Sequence, residues 1–60
     1  MTEDRLKKIL QAALDQESGK PATIDSEDAE EAENAGYLEV RGSGLIALTD
    51  EGRIKLASFN

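Results

Sequence analysis

The hydrophobic period of this chain changes at Gly36, and that change limits the folds open to it more than any other feature. Leu38 and Val40 alternate with Tyr37, Glu39 and Arg41, and Ile46 and Leu48 alternate with Leu45, Ala47 and Thr49; Gly42-Ser43-Gly44 lies between the two runs. A period of two puts alternate side chains on one face of a strand, so Tyr37 to Thr49 reads as a β-hairpin. Loop length then sets the register. A three-residue loop opposes Val40 to Ile46 and Leu38 to Leu48 and gathers all four large aliphatics on one face, whereas a two-residue loop would oppose Val40 to Ala47 and mix the faces. The three-residue loop is expected, with Tyr37 and Leu45 on the outer face, where apolar side chains can pack on a partner or a second copy.

Helical periodicity flanks the hairpin. From Thr2 to Glu17, Leu6, Ile9, Leu10, Ala13 and Leu14 fall at i, i+3, i+4, i+7 and i+8 and form one apolar stripe. Thr2 can cap this helix, Glu3 and Asp4 suit the positive end of its dipole, and Ser18-Gly19 ends it. Lys20 to Ile24 carries the only proline, Pro21, and reads as an extended connector with room for one short strand. Asp25 or Ser26 then caps a second helix that runs to about Ala35 and closes at Gly36. Ile24 is placed to staple onto Ala29, and the inward stripe is Ala29 and Ala32, with Ala35 as a further candidate. After the hairpin, Thr49 caps a last helix with Asp50 and Glu51 in its first turn. Ile54 and Ala57 are expected inward, with Leu56 or Phe59 as a further candidate. The class is α+β: helix, connector, acidic helix, two-stranded antiparallel hairpin, C-terminal helix.

Sixty residues suffice for a single domain, 1–60, of marginal stability. With no Cys and no His, disulfides, Cys/His zinc sites and every catalytic relay that needs imidazole or thiolate are excluded. No apolar run approaches the roughly 20 residues of a membrane span, and Met1-Thr2-Glu3-Asp4 lacks the features of a secretory signal, so a cytoplasmic protein without a membrane partner is expected.

The net charge of −6 comes from one stretch. Asp25, Glu27, Asp28, Glu30, Glu31 and Glu33 occupy nine residues that contain no base, and the remaining seven acids balance the seven bases. A solvated helix face is the plainest reading, and docking onto a basic protein partner through Glu27, Glu30 and Glu31 is the functional one. The spacing is not that of a calcium-binding loop, which needs Gly at its sixth place and Glu at its twelfth. Nor does a convex helix offer the cleft that paired catalytic carboxylates require. Gly42-Ser43-Gly44 lacks the Lys-Ser/Thr pair of a phosphate loop and precedes a strand. No enzyme, metal, cofactor or small-molecule substrate is expected.

The run Ala35-Gly36-Tyr37-Leu38-Glu39-Val40, the Gly-Ser-Gly loop, and Leu45 to Arg53 with its Leu-Thr-x-x-Gly-Arg element together resemble the C-terminal half of bacterial winged-helix domains. The resemblance covers about 22 residues. It implies that Gly36 terminates a helix, Arg41 to Gly44 form a wing tip, Thr49 is a cap and Gly52 is a small residue at a close helix contact. A bacterial or phage-like source goes with it. The chain departs from that pattern in two ways. Lys20 to Ala35 has room for one helix where such domains have two, and the helix in the place of the reading helix is acidic, so it would meet DNA phosphates with carboxylates. The first expectation is therefore a non-enzymatic interaction or regulatory module whose partner is a protein or a second copy. The alternative is a DNA-binding regulator that touches phosphate through Arg41, with Arg53 and Lys55 nearby.

Overall fold

A computed structural model describes residues 2–41 and 46–59. Those residues form α1 (Glu3–Glu17), α2 (Ser26–Asn34), β1 (Leu38–Val40), β2 (Ile46–Leu48) and α3 (Asp50–Ala57), an α+β arrangement with the hairpin between the second and third helices. The strands are antiparallel with Leu38 opposite Leu48, Glu39 opposite Ala47 and Val40 opposite Ile46, the register that the alternation predicts. The Gly42-Ser43-Gly44 loop and Leu45 lie outside the described residues. Among those residues, no helix is long and apolar enough to cross a membrane.

Each helix boundary has a local cause. Thr2 caps α1 by accepting a bond from the Arg5 N–H (3.3 Å). Both α1 and α2 end in the same motif. Gly19 and Gly36 have φ of +84° and +86°, and the residue after each glycine bonds back across the last turn, Lys20 N to Asp15 O (2.8 Å) and Tyr37 N to Ala32 O (3.0 Å). A left-handed residue closes a helix in this way, and glycine adopts that conformation without steric cost. Asp25 is the N-cap of α2 through its backbone position alone, since its side chain makes no capping bond. Lys20 to Ile24 forms no strand; it is held as irregular chain, with Gln16 Nε2 donating to Ala22 O (2.8 Å).

The core is one aliphatic cluster: Ile9, Leu10 and Ala13 of α1, Ala32 of α2, Leu38 and Leu48 of the hairpin, and Leu56 of α3. Helix α1 lies against β2, and α2 against β1. Four expected positions are corrected. Ala35 is exposed at the end of α2, because the glycine turn has already begun there. Tyr37 is half buried and packs on the core rather than standing on the outer face. It follows the closing glycine of α2, and a side chain at that place turns back over the helix end. In α3, Leu56 is buried, while Ile54 is 66% exposed and Ala57 is exposed as well.

The phase of α3 is set by Gly52. A Cβ on this residue would collide with the Tyr37 carbonyl and lie 3.2 Å from Leu48 Cδ2, so Gly52 must face the foot of the hairpin. Leu56 and Phe59, four and seven residues on, fall on the same side of the helix, and Ile54 falls opposite. Gly52 does occupy a close contact, but the neighbour is the Tyr37 backbone between α2 and β1, not a helix. Thr49 completes this junction. Its hydroxyl accepts from Gly52 N (3.0 Å) and donates to Gly36 O (2.6 Å), while its N–H donates to Tyr37 O (3.1 Å).

Candidate functional site, a groove between α2 and the hairpin

The six acids of residues 25–33 do not form one uniform face. Successive helical residues are rotated by roughly 100°, so the acids divide according to their angle from the buried Ala29 and Ala32. Asp28 turns toward α1 and receives the Arg5 guanidinium (Nη2 to Oδ1, 2.6 Å). That bond and the charge of Asp28 hold the Arg5 pKa above its ordinary value, with Glu31 and Asp25 adding to the field. Glu27 is exposed on the side away from the core. Glu30 and Glu33 flank the opposite side of α2, where Ser26, Ala29 and Asn34 also lie.

On that side the molecule is open. A groove of about 540 Å³ runs between α2 and the far end of the hairpin. Its apolar floor is Ile24, Ala29, Val40 and Ile46, and Glu30 and Glu33 stand along its rim. Leu38 and Leu48, on the same face of the hairpin, are 2% and 6% exposed, but Val40 is 41% exposed and Ile46 only half buried. The expectation that all four aliphatics pack inward therefore holds for the junction pair, holds in part for Ile46, which lies half buried against the core, and fails for Val40. Each residue of a strand adds about 3.3 Å, so Val40 lies about 7 Å farther than Leu38 from the turn at Gly36, beyond the reach of the small alanines of α2.

Carboxylates also meet both outward edges of the hairpin. Glu33 Oε2 accepts from Val40 N at 3.4 Å on the β1 side, and Glu17 Oε2 accepts from Leu48 N at 3.5 Å on the β2 side. These are long bonds, but each occupies an N–H that points away from the partner strand, and such N–H groups are where a further strand would pair.

The candidate phosphate contacts do not converge. The Arg53 guanidinium pairs with Glu17 (Nη2 to Oε1, 2.6 Å), and Lys55 Nζ sits 5.3 Å from the centre of the Phe59 ring, within cation–π range. Arg41 is exposed beside Glu17, Ile46 and Ala47 at the far end of the hairpin. Of the candidate partner-binding residues, Glu30 lines the groove, Glu27 and Glu31 are exposed elsewhere on α2, Tyr37 is taken into the core margin, and Leu45 lies outside the described residues. Ile24, Val40 and Ile46 were not singled out as site residues from the sequence. The signal for them was the all-alanine stripe of α2, which is too short to cover a hairpin face from end to end.

Compared with protein-family models, with curated proteins and with solved structures, the chain matches none of them.

Proposed function

We propose that this chain is a non-enzymatic protein-interaction module, built on a small winged-helix-like scaffold, that receives a protein partner on the α2 side of the molecule. The observation that carries the reading is the open groove there, an apolar floor with a large aliphatic side chain exposed and carboxylates at its rim. Exposed apolar surface framed by polar groups marks interaction sites, and uncompensated charge of one sign orients a partner of the other sign. The winged-helix likeness is supported by the order of parts, in which a helix stopped at Gly36 is followed by an antiparallel hairpin and a Thr49-capped helix. It lacks one of the helices such domains place before the wing.

Nucleic-acid binding through the wing is the competing reading. Two of its three candidate bases, Arg53 and Lys55, already face groups of this chain, which leaves Arg41 as a single contact against a duplex whose affinity depends on several. Two measurements on one sample separate the readings. The protein is titrated with mixed-sequence duplex at low salt while amide shifts are followed. It is then immobilised and used to capture partners from lysate beside a variant carrying E27K, E30K and E31K. Silence at Arg41, Arg53 and Lys55, together with a protein retained by the wild type and lost by the variant, is the expected result. Shifts at those bases would turn the assignment to DNA, and a monomer that retains nothing would end the interaction reading.

A further inference from the structure

The groove beside α2 has a shape and a charge that select one kind of occupant. It follows α2 from Ser26 to Asn34, a span of about 12 Å at 1.5 Å per residue, which accommodates about two turns of a helix laid alongside. Glu30 and Glu33 are three residues apart on the rim, about 4.5 Å along the axis. Between them and the hairpin lie Ile24, Ala29, Val40 and Ile46, of which Val40, 41% exposed, is the most open to an incoming aliphatic side chain. An extended strand is a poorer fit, because the Val40 N–H it would pair with is held by Glu33.

A second copy is disfavoured by charge. A two-fold contact through this face would bring Glu30 and Glu33 of both copies together. The other large hydrophobic exposed among the described residues, Ile54, shares its side of α3 with Asp50 and Glu51, which follows from the helical repeat. Inserting it into the groove would again set carboxylates against carboxylates. The two bases that flank Ile54, Arg53 and Lys55, are held by Glu17 and by the Phe59 ring, so the occupant must bring its cations from another protein.

We infer that the groove binds a short amphipathic helix of another protein, one that presents Lys or Arg three or four residues apart beside a single large aliphatic residue. The inference rests on the interaction reading above and narrows it to one site and one partner chemistry. Binding of a helix in a groove is a recurrent mode in which apolar anchors give affinity and flanking charges give orientation.

The test uses the full chain and a 16-residue helical peptide of Leu, Lys and Ala, with leucines in one stripe flanked by lysines. A scrambled peptide of the same composition and a peptide with Glu in place of Lys are the controls. Binding is followed by amide shifts and fluorescence anisotropy at 100 mM salt. The amphipathic basic peptide is expected to shift Ala29, Glu33, Val40 and Ile46 and to bind at least about tenfold more tightly than either control. V40D should weaken it about tenfold, E30K about threefold or more, and E27K, off the groove, less than twofold. Val40 and Glu30 are both exposed, and thermal melts of the variants confirm that the fold is kept. Equal binding of the scrambled peptide, or shifts centred on Glu27, would overturn the groove while leaving an acidic docking face intact. Equal binding of the acidic peptide would overturn the charge selection. A dimer in the free protein that V40D dissolves would assign the groove to a second copy and overturn the inference. Failure of all three peptides would overturn it too, and the E27K/E30K/E31K capture experiment then tells whether the broader reading survives.

Discussion

The two ends of the hairpin share one alternation and one register but have opposite fates. At the junction end, Leu38 and Leu48 are sealed into the core, Gly52 meets the Tyr37 carbonyl, and the Thr49 side chain bridges α2 and α3. At the far end, Val40 and Ile46 present the same chemistry to an open groove. Alternation reports which face a side chain takes. Burial depends on what stands opposite, and a helix whose inward residues are alanines covers only the strand positions nearest its own end. The junction is thus the part that holds the fold together, and the far end is the part left available for another molecule.

The sharpest test of this contrast is to add one methyl group at the junction and remove two at the far end. Gly52→Ala should destabilise the protein by about 3 kcal/mol despite alanine's better helix propensity, because the new Cβ meets backbone that can move only if the hairpin foot moves. Val40→Ala should cost about 0.5 kcal/mol or less, since much of the side chain is already in water. Thermal or urea unfolding of both variants checks this; comparable losses would break the distinction. Thr49→Val probes the same junction through its hydrogen bonds. It removes the cap on Gly52 N and the bond to Gly36 O, and a loss of about 1–2 kcal/mol is expected on the same melts. No measurable loss would mean that packing alone holds the junction.

The same contrast accounts for what could be read in advance. Thr2, Gly19, Gly36 and Thr49 act within a few residues of their own positions, so the helix limits were legible, and the hairpin register followed from four aliphatics and a loop length. The phase of α3 was not legible. Ile54, Leu56 and Ala57 are spread around an eight-residue helix, with Phe59 two residues past its end, and the choice among them is made by backbone contact with Tyr37, a residue 15 positions away from Gly52. The acidic stretch was visible as composition. Its division into a pair with Arg5, an exposed face and a groove rim required knowing where α1 and the hairpin lie.

Smaller effects are expected where charge rather than packing joins the parts. Arg53 ties α3 to the end of α1 through Glu17, but the two side chains are 49% and 29% exposed, so solvent screens the pair. Arg53→Ala should cost about 0.5 kcal/mol, and a double-mutant cycle with Glu17→Gln should recover a coupling of that size. A coupling several times larger would give the ion pair a weight in the junction comparable with that of Gly52.

Salt should produce the smallest change, and its sign depends on the region that dominates. In the folded chain the acids of residues 25–33 are held on one short helix and its cap, and like charges four apart, such as Glu27 and Glu31, cost about 0.2–0.5 kcal/mol per pair. Screening relieves this repulsion and also weakens favourable pairs such as Arg5–Asp28 and Arg53–Glu17. Six acids gathered on α2 and its cap outnumber those attractions, so raising the ionic strength from about 20 to 300 mM should raise the melting temperature by about 1–3 °C for a domain of this size. The rise should shrink in a Glu27→Gln/Glu31→Gln variant, which carries less of the repulsion to be screened. If it does not shrink, the relief comes from the charge of the whole chain and not from α2. If the melting temperature falls with salt, the ion pairs outweigh the repulsion, and the acidic side of the molecule is less strained by its own charge than its sequence implies.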